Sequence, residues 1–339
     1  MNFSAEDIAR DLYGELMRRF GEMSPTLEGQ GLHWHCTAGR DDRDCRIHCH
    51  TMRDDCEYFT AFRQSCDVVA WSRISSRDDT LDAVADWLDG VDIPHMYERY
   101  RFVDAGKRKL SQIRDDVFAA EPDLPPLCET ELRQHAADIY SLYFRGSDRS
   151  CRVSYYGRNE WPDARFLWSG RQLLEYQPQD NTQLAAVLNA WIGETLAPSA
   201  MRRRFPWLTI GPVADYYEAG QPYEGECVMS WDAIEEFFDD ERLPWADDVK
   251  QLVSAMRTHG YDRTLRAGQS LWSLVLSRSR RHGLRIDQPC IAFRFHRSGM
   301  TVSNALEDRR NPITTEHAEI QLTADVDTLL KQLEARPVD

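Results

Sequence analysis

The chain has 339 residues, 42% of them apolar and 11% aromatic, and a formal net charge of −15. That composition excludes a disordered chain, and the charge makes duplex nucleic acid and anionic membrane poor partners, since both would be repelled at long range. No stretch approaches the roughly eighteen apolar residues of a membrane span, and nine cysteines without an export signal read as reduced thiols of a cytoplasmic protein.

In chain order, Ile8, Leu12, Leu16 and Phe20 recur at helical spacing and predict a first helix. Residues 33–50, HWHCTAGRDDRDCRIHCH, then alternate like the two arms of a hairpin, with TAGRDDRD as the loop. Leu32, Trp34 and Cys36 share one face with Ile47 and Cys49, whereas His33, His35, His48 and His50 share the other. Burying the apolar set requires paired residue numbers with an odd sum, because a slip of one turns every side chain over. A sum of 83 sets His35 opposite His48 and His33 opposite His50, whereas 81 opposes only His33 and His48. The four imidazoles are therefore a candidate site for zinc or another divalent metal. The alternative is an exposed polar strand face that titrates near neutrality.

An internal similarity organises the rest. CRIHCHTMRDDCEYF from Cys45 and CRVSYYGRNEWPDARF from Cys151 both open Cys-Arg-(Ile/Val) and are followed by helical patterns, DDTLDAVADWLDG and DNTQLAAVLNAWIGE. Asp79 and Asn181 stand as their expected N-caps. Pro94 and Pro198 each follow the helix tryptophan, Trp87 or Trp191, by seven positions. The second copy is expected to have its own leading helix, with Leu132, Ala136, Ile139 and Tyr143 as its stripe.

The acidic stretch 230–256 predicts connecting helices broken near Pro244. A third, degenerate copy follows: a helix over 270–281, a hairpin turning at Ser298-Gly299, a strand in HAEIQL, and a last helix capped by Thr323 with Val326, Leu329, Leu330 and Leu333 inward. In this copy the apolar parity after Cys290 differs from that after Cys45, so only the order of elements agrees. The expected fold is α+β, with two or three pseudo-repeated units of helix, three- or four-stranded antiparallel sheet, and helix. The units are placed at 1–120, 121–215 and 263–339, with an acidic helical connector at 216–262.

Nucleotide-binding, zinc-protease, serine-hydrolase and Cys-x-x-Cys signatures are absent. MRRRF (201–205) reads as a solvated loop. SRSRRHGLR (277–285) reads as a helix C-terminus at Gly283 or as an anion site using Arg278, Arg280, Arg281, Arg285 and Arg294. Three functional readings follow. The first is a non-catalytic cytoplasmic protein, without a cofactor, that binds a basic protein partner in an immunity, chaperone or adaptor role. The second is a divalent-metal enzyme or sensor built on the histidine face. The third is an anion- or nucleotide-binding module built on the C-terminal arginines.

Overall fold

A computed structural model describes residues 4–52, 55–137, 139–155, 161–239, 243–280, 285 and 287–338. Its contacts divide the chain into two compact units, residues 1–196 with 204–209 and residues 197–203 with 210–339.

In the first unit, Ser4 starts helix α1 (Ala5–Phe20) with a reciprocal cap. Its hydroxyl accepts from the Asp7 N–H at 3.2 Å, and the Asp7 carboxylate accepts from the Ser4 N–H at 3.0 Å. The expected stripe buries Leu12, Leu16 and Phe20. Five antiparallel strands follow as a meander in sequence order: β1 (Thr26–Gln30), β2 (His33–Arg40), β3 (Arg43–Met52), β4 (Asp55–Gln64) and β5 (Asp67–Ile74). TAGRDDRD is not a loop. The strands run on to a two-residue turn at Asp41-Asp42, where Asp41 takes φ 57° and Arg40 pairs with Arg43. Cys36, Cys45, Ile47 and Phe62 face α1 and the following helix α2 (Arg77–Leu88) and form the core with Leu81, Val84 and Trp87. Helix α3 (Ile93–Arg99) comes next, with Pro94 in its first turn.

The same order then recurs. Helix α4 (Ala105–Ala120) buries Leu110, Ile113 and Val117 and packs on the second sheet. That sheet is β6 (Glu129–Ala136), β7 (Ile139–Arg145), β8 (Arg149–Tyr155), β9 (Asp163–Trp168) and β10 (Arg171–Tyr176). Helix α5 (Asn181–Leu188) follows, running on as a π turn over Asn189–Gly193. Helix α6 (Pro198–Arg204) and the two-residue strand β11 (Thr209–Ile210), a sixth strand beside β10, close this part of the chain.

Several expectations need correction. The stripe Leu132, Ala136, Ile139 and Tyr143 is a hairpin, β6–β7, not a helix. Alternation of buried Tyr140, Leu142 and Phe144 outweighs the helical spacing, and Ala137 turns the chain at φ 38°. The leading helix is α4 instead. The helix caps are Ser76 and Asp180, whose side chains accept from the Asp79 and Gln183 N–H groups, so the helices begin earlier than Asp79 and Asn181 suggested. MRRRF begins inside a helix rather than a loop.

The second unit, which also takes in residues 197–203 and so most of α6, continues with α7 (Val213–Glu218), α8 (Pro222–Phe238), α9 (Ala246–Thr258) and the single turn α10 (Tyr261–Thr264). Pro244 lies in the break between α8 and α9, as the sequence implies. The third meander is β12 (Arg266–Ser270), β13 (Ser273–Ser277), β14 (Cys290–His296), β15 (Gly299–Ala305) and β16 (Ile313–His317), followed by α11 (Ala324–Glu334) from Thr323. Residues 270–277, expected to open a helix, instead form a turn at Leu271-Trp272 and then β13. Leu274 and Leu276 alternate inward, and Leu271 adopts φ 54°. The strand expected in HAEIQL ends at His317.

The fold is thus α+β, with helix, antiparallel sheet and helix occurring in that order three times. Each sheet has five or six strands, more than the expected three or four. Among the described residues, no helix is long and apolar enough to cross a membrane.

Candidate functional site

The histidine strands adopt the register with paired numbers summing to 83: Trp34 opposes Cys49, His35 opposes His48, and Cys36 opposes Ile47. On the face turned away from α1 and α2, one row then crosses all five strands. It runs Glu28, His35, His48, Phe59 and Arg73, each directly opposite the next. Directly opposed side chains on a sheet face touch, and these do. The His35 and His48 ring centroids are 5.2 Å apart with planes tilted by 39°. Arg73 lies 5.2 Å from the Phe59 centroid and forms an ion pair with Glu57 at 3.0 Å. His50 meets the same phenyl ring edge-on at 6.2 Å.

Arg46 organises the centre of this face. Its Nη2 lies 2.8 Å from His35 Nε2, and since a guanidinium can only donate, that nitrogen accepts in this contact. Glu28 stands 3.4 Å from the same nitrogen. Burial, then the Arg46 charge, holds the His35 pKa below the ordinary imidazole range, with Glu28 opposing. Burial likewise lowers His48, helped by Arg46, His35 and His33. Both rings are therefore neutral at pH 7. His33 and His50, two residues further along β2 and β3 on the same face, are exposed.

The four histidines share a face but not a centre. A metal needs several lone pairs converging on one point, and among the described residues no group of three His, Cys, Asp or Glu is so placed. The lone pair His35 would offer at Nε2 is occupied by a cation instead.

The C-terminal arginines diverge. Arg278 reaches back to α11, donating to the Glu334 carbonyl, and lies over Tyr223 of α8 at 5.8 Å. The Arg280 carbonyl accepts from Arg266 at 2.8 Å. Arg285 pairs with Asp287 at 3.2 Å. Arg294 is exposed in the middle of β14, opposite Ser273 and Thr301. Arg281 and Gly283 lie outside the described residues.

No family model, curated protein or solved structure matches the chain. The site must be read from its own geometry. Two arginines that sequence reasoning passed over, Arg43 and Arg149, turn out to tie each sheet to its helix. Arg43 donates to the Trp87 and Val91 carbonyls, and Arg149 to those of Trp191 and Leu196. Their signal was present: each stands two positions before the repeated cysteine, in RDC and RSC.

Proposed function

We propose that this is a non-catalytic cytoplasmic protein that works by binding another protein, with the open face of the first sheet as its contact surface. The five-strand row from Glu28 to Arg73 carries the reading. It brings together half-buried Phe59, His35 and His48 with the ion pair Glu57–Arg73, rimmed by the exposed His33 and His50. Apolar and aromatic anchors ringed by polar groups are the usual anatomy of a protein interface. The neutral imidazoles add hydrogen-bonding capacity without the cost of desolvating a charge. The excess of acidic residues elsewhere favours a basic partner through long-range attraction.

The test is purification from the native host at low and high salt. A partner should co-purify with the wild-type chain and be lost from the His48→Glu/Phe59→Ala variant, which alters only this face. Recovery of the wild-type chain alone at every salt concentration would overturn the proposal.

A further inference from the structure

The third sheet has a different outer face. Where the first sheet carries His35, His48 and Phe59, the rows of the third run Gly268, Val275, Ala292, Ser303 and Arg266, Ser277, Cys290, Ala305. Small side chains leave room above the strands, and a cavity of about 370 Å³ opens there. Its floor spans four strands, roughly 14 Å at about 4.8 Å per strand. At about 30 Å³ per water, the volume suits a ligand of up to about a dozen non-hydrogen atoms. The parity change after Cys290 explains its place: Cys45 and Cys151 face helices, whereas Cys290 is in this floor.

Among the described residues, the lining contains two arginines, Arg266 and Arg309, and no carboxylate, in a chain of net charge −15. The two arginines differ. Arg266 is matched by the buried Glu226 at 3.4 Å, and that carboxylate also accepts from the Tyr217 hydroxyl at 2.5 Å. Arg309 has no carboxylate within ion-pairing distance among the described residues, and its guanidinium donates to the Arg285 carbonyl. A cation without a counter-charge beside an apolar floor is complementary to one ligand chemistry, an anionic head on an apolar body.

We propose that this cavity binds a small organic monocarboxylate, its carboxylate on Arg309 and its apolar body on Val275, Ala292 and Ala305. Ser277 and Ser303 add hydroxyls to the same lining. The site lies in the second unit and is independent of the face assigned to protein binding.

The experiment is a calorimetric titration of the full chain at pH 7 with benzoate and with benzamide, which differ in charge but hardly in shape. Benzoate should bind at least about tenfold more tightly, the margin expected of a charge-assisted pair. Arg309→Gln should remove that preference, and Ala292→Leu, which fills the floor, should abolish binding of both. Equal affinity for the two probes in the wild-type chain, or no benzoate binding at millimolar concentration, overturns the proposal without recourse to a variant. Benzoate binding unchanged in both variants overturns it as well.

Discussion

The Arg43 guanidinium lies 4.2 Å from the centroid of the Trp87 ring and donates at 3.1 Å to the carbonyl of that same tryptophan. Arg149 repeats the arrangement, 4.4 Å from the Trp191 centroid and 3.2 Å from its carbonyl. The neighbours correspond too. Phe62 stands opposite Cys45 and meets Trp87 edge-on at 6.1 Å, and Phe166 stands opposite Cys151 and meets Trp191 edge-on at 6.3 Å. One side chain thus closes the end of a helix and stacks on its largest core residue.

Arg149→Met should cost about 2–4 kcal/mol, because it leaves the Trp191 and Leu196 carbonyls without their charged donor and keeps only the packing. Arg43→Met should cost less, since the Arg43 side chain is the more exposed of the two. Urea unfolding of both variants measures the difference. An Arg149 variant as stable as the wild type would refute the role.

Asp104 makes a second joint between elements. Almost fully buried, it accepts from the Trp71 N–H at 2.9 Å and the Tyr97 hydroxyl at 2.6 Å, while its own N–H donates to the Trp71 carbonyl at 2.7 Å. It adopts φ 49°, which asparagine tolerates better than alanine. Asp104→Ala should destabilise by about 2–3 kcal/mol and Asp104→Asn by less, read from denaturant midpoints.

The histidine pair predicts a pH dependence. Both pKa values are lowered on folding, so between the folded values and about 6.5 the unfolded chain binds more protons. Their contribution to stability is fully present above about pH 6.5 and is lost as pH falls through that value towards the folded pKa values. Imidazole NMR titration should find His35 and His48 titrating below His95, which its bond to Asp92 raises. Arg46→Gln should move both upward.

Metal content follows from the same geometry. Protein purified without an affinity tag should carry less than about a tenth of an equivalent of Zn, Cu, Ni, Mn or Fe, since two adjacent imidazoles leave a tetrahedral ion short of ligands. Elemental analysis decides it, and a stoichiometric metal would restore the histidine face as a centre.

Gly299 opens β15 directly after the two-residue turn Arg297-Ser298 at φ 126°, and an added Cβ would lie 1.9 Å from the His317 carbonyl oxygen. Gly299→Ala should therefore break the pairing of Met300 with His317 and lower stability by about 3 kcal/mol or more. Amide exchange across β16 should rise selectively.

The sequence by itself determined the first and last helices, the break at Pro244, a hairpin turning within one residue of Ser298-Gly299, and the face the histidines share; it left two registers open, and the structure chose the sum of 83. These are local, since periodicities of two and 3.6 and the rule that apolar faces turn inward need no knowledge of distant neighbours. Where a hairpin's alternation overlapped a helical spacing, at Leu132–Tyr143 and Ser270–Ser277, the local signal was ambiguous, and pairing with the next strand settled it. Only the tertiary structure decided what the polar groups do. Arg46 fills the nitrogen a metal would need, Arg278 and Arg294 point away from each other, and Arg309 meets a floor of small residues, because convergence depends on which strands and helices lie side by side.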